Sequence, residues 1–298
     1  MTQIAAPCST IIPVITPTAP RTVLITGCSS GIGACVATGL KARGYRVFAT
    51  ARKASDAAAL HAQGFESARL DLTDSASIHS AVDALLQRSG GELFALVNNA
   101  AFGQPGAVED LRREVLRAQF ETNVFGTLEL TNTVIPMMRK QGYGRIIMNS
   151  SVLGLVALPY RGAYTASKFA LEGITDTLRQ ELHDSGIHVS MLEPGPITSR
   201  FRANSFALYQ KNIDKQQSAH CAIYDGMEKR LTKPGPAQPF TLPPEAVLKK
   251  VIHALESPRP QPRYYVTLPT HFLGTLKRVL TTRGMDGLMR ALSRRENR

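Results

Sequence analysis

Cysteine is scarce, acids are outnumbered, and long apolar runs are missing. The four cysteines, Cys8, Cys28, Cys35 and Cys221, show neither metal-ligand spacing nor a disulfide framework. A reducing, cytoplasmic setting fits. No apolar run reaches the roughly 18 residues that a membrane span needs. Residues 1–20 contain Pro7, Pro13, Pro17 and Pro20 and no charged side chain. A secretory signal needs a basic start and an unbroken apolar core; neither is present, and the stretch reads as an extended or disordered tail. Asp and Glu number 23 against 35 Lys and Arg, a net charge of +12. That excess raises nucleic acid, anionic lipid or a phosphorylated cofactor as partners. The cations are scattered, densest near the C-terminus, and no nucleic-acid motif accompanies them, so no nucleic acid is expected. Internal repeats, low-complexity blocks and domain linkers are also lacking. At 298 residues one large α/β domain or two small ones would fit, and 43% hydrophobic content is ordinary for a substantial core.

What is present organises itself around residues 21–52. Apolar Val23 to Ile25 break into a turn with Gly27, Gly31 and Gly33, a helical run with Val36 and Leu40 follows, and a second apolar strand ends at Arg52. That is a βαβ unit whose first turn can admit a pyrophosphate at the start of a helix. Glycine lets the backbone turn sharply and approach a ligand without a Cβ in the way. The spacing is Gly-x-x-x-Gly-x-Gly, not the commoner Gly-x-Gly-x-x-Gly. Many strand–helix turns carry glycine for packing alone; Thr26 and the flanking apolar strands tilt this one toward a nucleotide.

Along the chain, strands and helices alternate. Helix 54–63 leads to strand 66–72, ending in Asp71-Leu72, and helix 75–88 to the apolar strand 93–97, ending in Asn98-Asn99-Ala100. A long helical region follows over 110–139, with Pro136 as its expected kink. Strand 145–148 ends in Asn149-Ser150-Ser151, helix 163–183 follows, and strand 188–192 ends in Glu193-Pro194-Gly195. The pattern predicts a single doubly wound parallel sheet of Rossmann type with helices on both faces, binding its ligand at the strand C-ends. Residues 197–240, beginning at Ile197, break the rhythm and read as an irregular lid; a surface excursion is the duller alternative. Helix 243–256 and strand 263–268 complete a domain spanning 21–269. Residues 270–298 form a basic, amphipathic extension that packs on its own domain or a partner subunit, with weak peripheral membrane contact as the alternative.

Tyr164 and Lys168 stand four residues apart on a helix and so share a face. A free tyrosine, with a pKa of about 10, is a poor base. A neighbouring ammonium favours phenolate and lowers that value, so Tyr164 could exchange a proton with a substrate oxygen. The pair alone recurs by chance on many helices; Ser151 at a strand end and the glycine turn give it force.

With Thr26-Gly27-Cys-Ser-Ser-Gly31-Ile-Gly33, Asp71, Asn98-Asn99-Ala100, Asn123, Ser151, Tyr164-x-x-x-Lys168 and Pro194-Gly195 in this order, the chain resembles the short-chain dehydrogenase/reductase family over residues 21–200. Ala101 departs from the Gly frequent there. The resemblance implies an oxidoreductase with Tyr164 as acid/base. Lys168 would bind the nicotinamide ribose and depress the Tyr164 pKa, and Ser151 would steady the substrate oxygen. Asn123 would hold a water relaying protons to Lys168. Gly27, Ser29, Ser30, Gly31, Ile32, Gly33, Asn99, Ala100, Pro194, Gly195 and Ile197 would contact the cofactor, with Asp71 and Leu72 near its adenine. Asn123 as a helix-kink residue and Asp71 as a turn former are the plainer readings.

The second strand ends Ala49-Thr50-Ala51-Arg52, with no carboxylate for a ribose 2′-hydroxyl. Arg52 suits a 2′-phosphate instead, so NADP(H) is the expected cofactor. Leu153, Leu155, Val156, Leu158, Tyr160, Phe102 and the lid aromatics point to an apolar cleft and a hydrophobic alcohol or carbonyl substrate. The turn and the strand end resemble the family's steroid- and retinoid-handling branch, with a broad aldehyde or ketone reductase as an equal. A 3-ketoacyl thioester reductase and a non-catalytic NADP(H)-sensing protein are the alternatives. The resemblance also implies a homo-oligomer paired through helices 110–139 and 163–183.

Overall fold

The computed structural model describes residues 21–236 and 238–297; the expected tail, 1–20 with Cys8, lies outside the described residues. Seven parallel strands form one sheet in the order β3-β2-β1-β4-β5-β6-β7. They are β1 (Thr22–Ile25), β2 (Arg46–Ala51), β3 (Glu66–Arg69), β4 (Ala95–Asn98), β5 (Gly144–Asn149), β6 (Ile187–Glu193) and β7 (Arg263–Tyr265). Eleven α-helices are described: α1 (Gly31–Ala42), α2 (Ala54–Ala62), α3 (Ser75–Ser89), α4 (Arg113–Phe120), α5 (Thr127–Gln141), α6 (Gly162–Glu181), α7 (Phe201–Asn212), α8 (Cys221–Thr232), α9 (Glu245–Glu256), α10 (Leu268–Val279) and α11 (Thr282–Glu296).

Strand side chains point to opposite faces in turn, and both faces here are covered. Val23 and Ile25 of β1 pack with Val36 and Leu40 of α1 and Val247 and Val251 of α9. Leu24 between them points the other way, to Ile78 and Leu85 of α3, Leu130 and Val134 of α5 and Leu171 of α6. This double burial explains why β1 and β4 read as unbroken apolar runs. Local signals set the ends: Asp74 caps α3 by accepting from the Ser77 amide at 3.2 Å, and Gly90 closes it at φ +70°. β1 pairs with β2 on one side and β4 on the other. Chain order reverses there, which places the ligand crevice at the C-ends of these strands.

The structure departs from the sequence expectations in four places. The long helix over 110–139 breaks at Glu121–Gly126, a π-helical segment, while Pro136 lies within α5. Gly126 crosses the Leu72 carbonyl so closely that a Cβ there would sit 1.8 Å from its oxygen. The third strand stops at Arg69 and the last spans three residues. The stretch after β6 is helical: α7 and α8 bury Tyr209, Ile213, Tyr224, Met227 and Leu231 against Ala107. The Tyr224 hydroxyl accepts from the Ala107 amide at 2.9 Å and donates to Asp110, anchoring this unit to the loop after β4. The fourth concerns the expected cleft: the basic extension folds as α10 and α11 over the residues expected to line it. Met285 and Met289 bury with Val156, flanked by Leu153, Leu155, Leu158, Leu273 and Leu276. The leucines and valine expected to line a cleft are thus spent largely on holding α10 and α11.

Candidate active site

The glycine turn is built by close approach. Gly27 and Gly31 have φ of +72° and +59°, a region costly for other residues. Gly33 is tighter: a Cβ would stand 2.2 Å from the Gly27 oxygen and 2.6 Å from Asn99 Nδ2. Only a hydrogen at this position lets α1 begin against the turn. Ser30, the N-cap, makes no side-chain cap bond, so the first amides of α1 are not met by it. Such a helix end favours an anion, and the turn, with Ser29 exposed and Ser30 and Ile32 half-buried, fits a dinucleotide pyrophosphate. Cys28 within the turn is buried, its thiol donates to the Ile25 carbonyl, and burial pushes it up to about 12. It is a packing residue rather than a reactive thiol.

β2 delivers Arg52 to the same edge, exposed, with Lys53 beside it. Asp71 follows β3, but its Oδ1 accepts from the Thr73 amide at 3.1 Å and hydroxyl at 2.8 Å. The turn-former reading accounts for that oxygen. Leu72 is buried against Gly126.

Asn99 after β4 is fully occupied within the protein. Its Nδ2 donates to the Thr26 and Gly27 carbonyls at 2.9 and 3.2 Å, and its Oδ1 accepts from Asn149 at 3.1 Å. The Asn99 and Ala100 amides both donate to Thr26 Oγ1 at 2.9 Å. Asn99 thereby shapes the glycine turn. Asn123 is similarly committed. Its Nδ2 donates to the Phe102 carbonyl and Ser167 Oγ at 2.9 and 3.1 Å, and its Oδ1 accepts from the Phe102 amide. Its side chain joins the π segment, the loop after β4 and α6. Pro194 accepts from the Val152 amide at 2.8 Å and ties β6 to the Ser151 loop. Gly195 lies against Thr267, where a Cβ would stand 2.1 Å from the hydroxyl oxygen. Ile197 is half-buried and bridges to Leu242.

Tyr164 and Lys168 do share a face of α6, with Lys168 Nζ 5.6 Å from the Tyr164 ring centroid. Lys168 is 2% exposed and donates to the Asn149 carbonyl at 2.7 Å. Burial pushes the Tyr164 phenol up to about 12, and the neighbouring Ser151 hydroxyl draws it back only partly. Burial also pulls Lys168 down to about 8, against the upward pull of Glu172. The direction at Tyr164 is opposite to the expected lowering, because burial is the dominant influence and the Ser151 hydrogen bond the opposing one. Ser151 accepts from the Leu153 amide at 3.1 Å, which orients its hydroxyl at the end of β5. Phe201, at the start of α7, lays its ring on Tyr164 at 5.3 Å between centroids and 63° between planes.

Several supporting residues were missed. Glu172 accepts from Ser150 Oγ at 2.5 Å and pairs with Arg263, which also holds Glu193 and, at 2.5 Å, Asp176. Glu193 is 0% exposed, and burial together with Glu172 pushes it up to about 8. The signal was there: Tyr164, Lys168, Glu172 and Asp176 follow at intervals of four on one helix. Asn149 and Arg263 gave none, because their partners come from distant elements.

A nucleotide-binding turn, a serine at a strand end and a buried tyrosine–lysine pair on one edge of a parallel sheet define a dinucleotide-dependent oxidoreductase fold. A family model for short chain dehydrogenases matches residues 21–209, and the chain belongs to that family, whose members use nicotinamide cofactors. It is 43% identical over 269 residues to the uncharacterized oxidoreductase YbbO of Escherichia coli strain K12, covering 90% of this chain and 94% of that one. It is 32% identical over 260 residues to human 17-beta-hydroxysteroid dehydrogenase type 1, covering 82% and 77%. The crystal structure of a short-chain dehydrogenase from Streptomyces avermitilis matches with a TM-score of 0.72 and 27% identity, covering 93% and 98%.

Proposed function

We propose that this protein is an NADP(H)-dependent oxidoreductase that interconverts a hydrophobic alcohol and its aldehyde or ketone. The observation that carries this reading is the placement of buried Tyr164 on one face of α6 with Lys168, beside Ser151 at the end of β5. When bound, the nicotinamide supplies the hydride. The residues fit such a group, because the Gly27–Gly33 cradle has no room for a Cβ. Gly27, Ser29, Ser30, Gly31, Ile32 and Gly33 would hold the pyrophosphate, and Arg52 the 2′-phosphate. Asp71 and Leu72 would flank the adenine, with Ala100, Pro194, Gly195 and Ile197 completing the walls.

The chain's own part is proton transfer and orientation. Ser151 donates to the carbonyl oxygen and steadies the charge that develops there. Tyr164 gives its phenolic proton to that oxygen, which a phenol held neutral is suited to do. Lys168, fixed by the Asn149 carbonyl, holds the ribose and stabilises the phenolate left behind. Asn123 positions α6 through Ser167 and would hold the water that relays protons to Lys168. Phe201 supplies an apolar wall over Tyr164, which favours an apolar substrate. Exposed Phe125 and Phe169, on the π segment and α6, support pairing of two copies through these helices.

The test follows NADPH absorbance with a panel of apolar aldehydes, ketones and a 3-ketoacyl thioester. Turnover of the aldehydes or ketones, faster with NADPH than with NADH at equal low concentration, is expected. Preference for NADH would remove the Arg52 assignment, preference for the thioester would move the enzyme to that substrate, and NADPH binding without any turnover would make it a sensor.

A further inference from the structure

The two C-terminal helices lie beyond the residues matched by the family model. One face of α10 is spoken for. Thr270 and Gly274 are buried, and Leu273 and Leu276 join the cluster under the Ser151 loop. The opposite face carries large apolar side chains in solvent, with exposed Thr275 among them: Leu268 is 66% exposed, Phe272 59% and Val279 75%. These positions follow at helical spacing and form one stripe about 17 Å long at 1.5 Å per residue. Large exposed apolar side chains in register are not needed for a helix already anchored on its other side, and they mark a contact surface.

Charge identifies what it contacts. Lys277 and Arg278 end α10, and Arg283, Arg290, Arg294 and Arg295 follow on α11, all exposed. Among the described residues none of these six is paired with a carboxylate, whereas Glu296 is taken by Arg161 at 2.5 Å. Asp286 is the other acid on these two helices. Both helices are backed by the same cluster around Val156, so their outer faces look away from the same part of the core. We propose that this surface docks on an anionic lipid bilayer, with Leu268, Phe272 and Val279 entering the headgroup region and the cations meeting lipid phosphates.

A second copy fits less well. A twofold contact would bring two surfaces of the same positive charge together, and one short stripe is small for a stable protein interface. An interfacial helix asks only for a few apolar side chains and adjacent cations, each cation strengthening binding to an anionic leaflet about fivefold. Docking here would bring the Ser151 loop, on the other side of α10, close to the bilayer.

The test is sedimentation of the full chain with vesicles of phosphatidylcholine alone or mixed equally with phosphatidylglycerol. Binding to the mixed vesicles only, weakened by salt, is expected. Phe272→Ser with Val279→Ser, and separately Lys277→Gln with Arg278→Gln, should each weaken it by about tenfold or more. An unchanged thermal unfolding midpoint shows that each variant is folded. No binding to mixed vesicles, or binding unaffected by either variant, would overturn the proposal. So would a wild-type dimer that the Phe272/Val279 variant turns into a monomer, since a second copy would then cover the face. Lipid binding is read without turnover, so the result stands apart from the proposed reaction.

Discussion

Gly33→Ala isolates the contact that shapes the cofactor turn. The added methyl would sit 2.2 Å from the Gly27 oxygen, where ordinary contact begins at 3.4 Å. Neither neighbour can swing aside: the Gly27 oxygen is main chain, and Asn99 Nδ2 is bonded to it at 3.2 Å. The start of α1 must therefore move off the turn by about 1 Å, a displacement that can cost about 100-fold where geometry matters. Overpacking of this kind also costs about 1–3 kcal/mol of stability. Gly287→Ala is the control. It lies within α11 with nothing within 4 Å of the added Cβ, so helix propensity alone acts and stabilises by about 0.5–1 kcal/mol. Fluorescence titration with NADPH and thermal unfolding read both variants. A Gly33→Ala variant that binds NADPH like wild type would refute the reasoning that this approach builds the site.

Arg52→Glu should raise the KM for NADPH by about tenfold or more while changing that for NADH little, since a carboxylate repels a 2′-phosphate; steady-state rates with both cofactors check it. Glu172→Gln keeps an acceptor for Ser150 but removes the charge that holds Lys168 up. Lys168 then falls further below about 8, so the loss of activity with rising pH should begin at lower pH, which a pH–rate profile reads. Arg263 keeps Asp176 and Glu193 as partners, and relief of the Glu172 repulsion lets Glu193 ionise more readily; the stability cost should stay near 1–3 kcal/mol.

The sheet was legible because its strands are buried on both faces, and each apolar run ends in polar or glycine residues. Gly27, Gly31 and Gly33 were legible because their spacing follows from backbone geometry. Less was visible where tertiary partners decide. Asn99 and Asn123 lie where the pattern puts them, but their amides are satisfied by Gly27, Phe102 and Ser167, contacts that no spacing announces. α7 showed no stripe because its apolar residues are spread around the helix. Leu153 and Val156 look the same in sequence whether they line a cleft or lie under Met285 and Met289. The sign of the Tyr164 shift turned on burial, which outweighs the Ser151 hydrogen bond and can be weighed only once the surroundings are known.

The central claim is that a neutral Tyr164 delivers the proton. Tyr164→Phe removes the phenolic oxygen and little else, so NADPH oxidation with an apolar aldehyde should fall by about 100-fold or more, while titration shows NADPH bound within a few-fold of wild type. Turnover near the wild-type rate in that variant, with the cofactor still bound, would contradict the account.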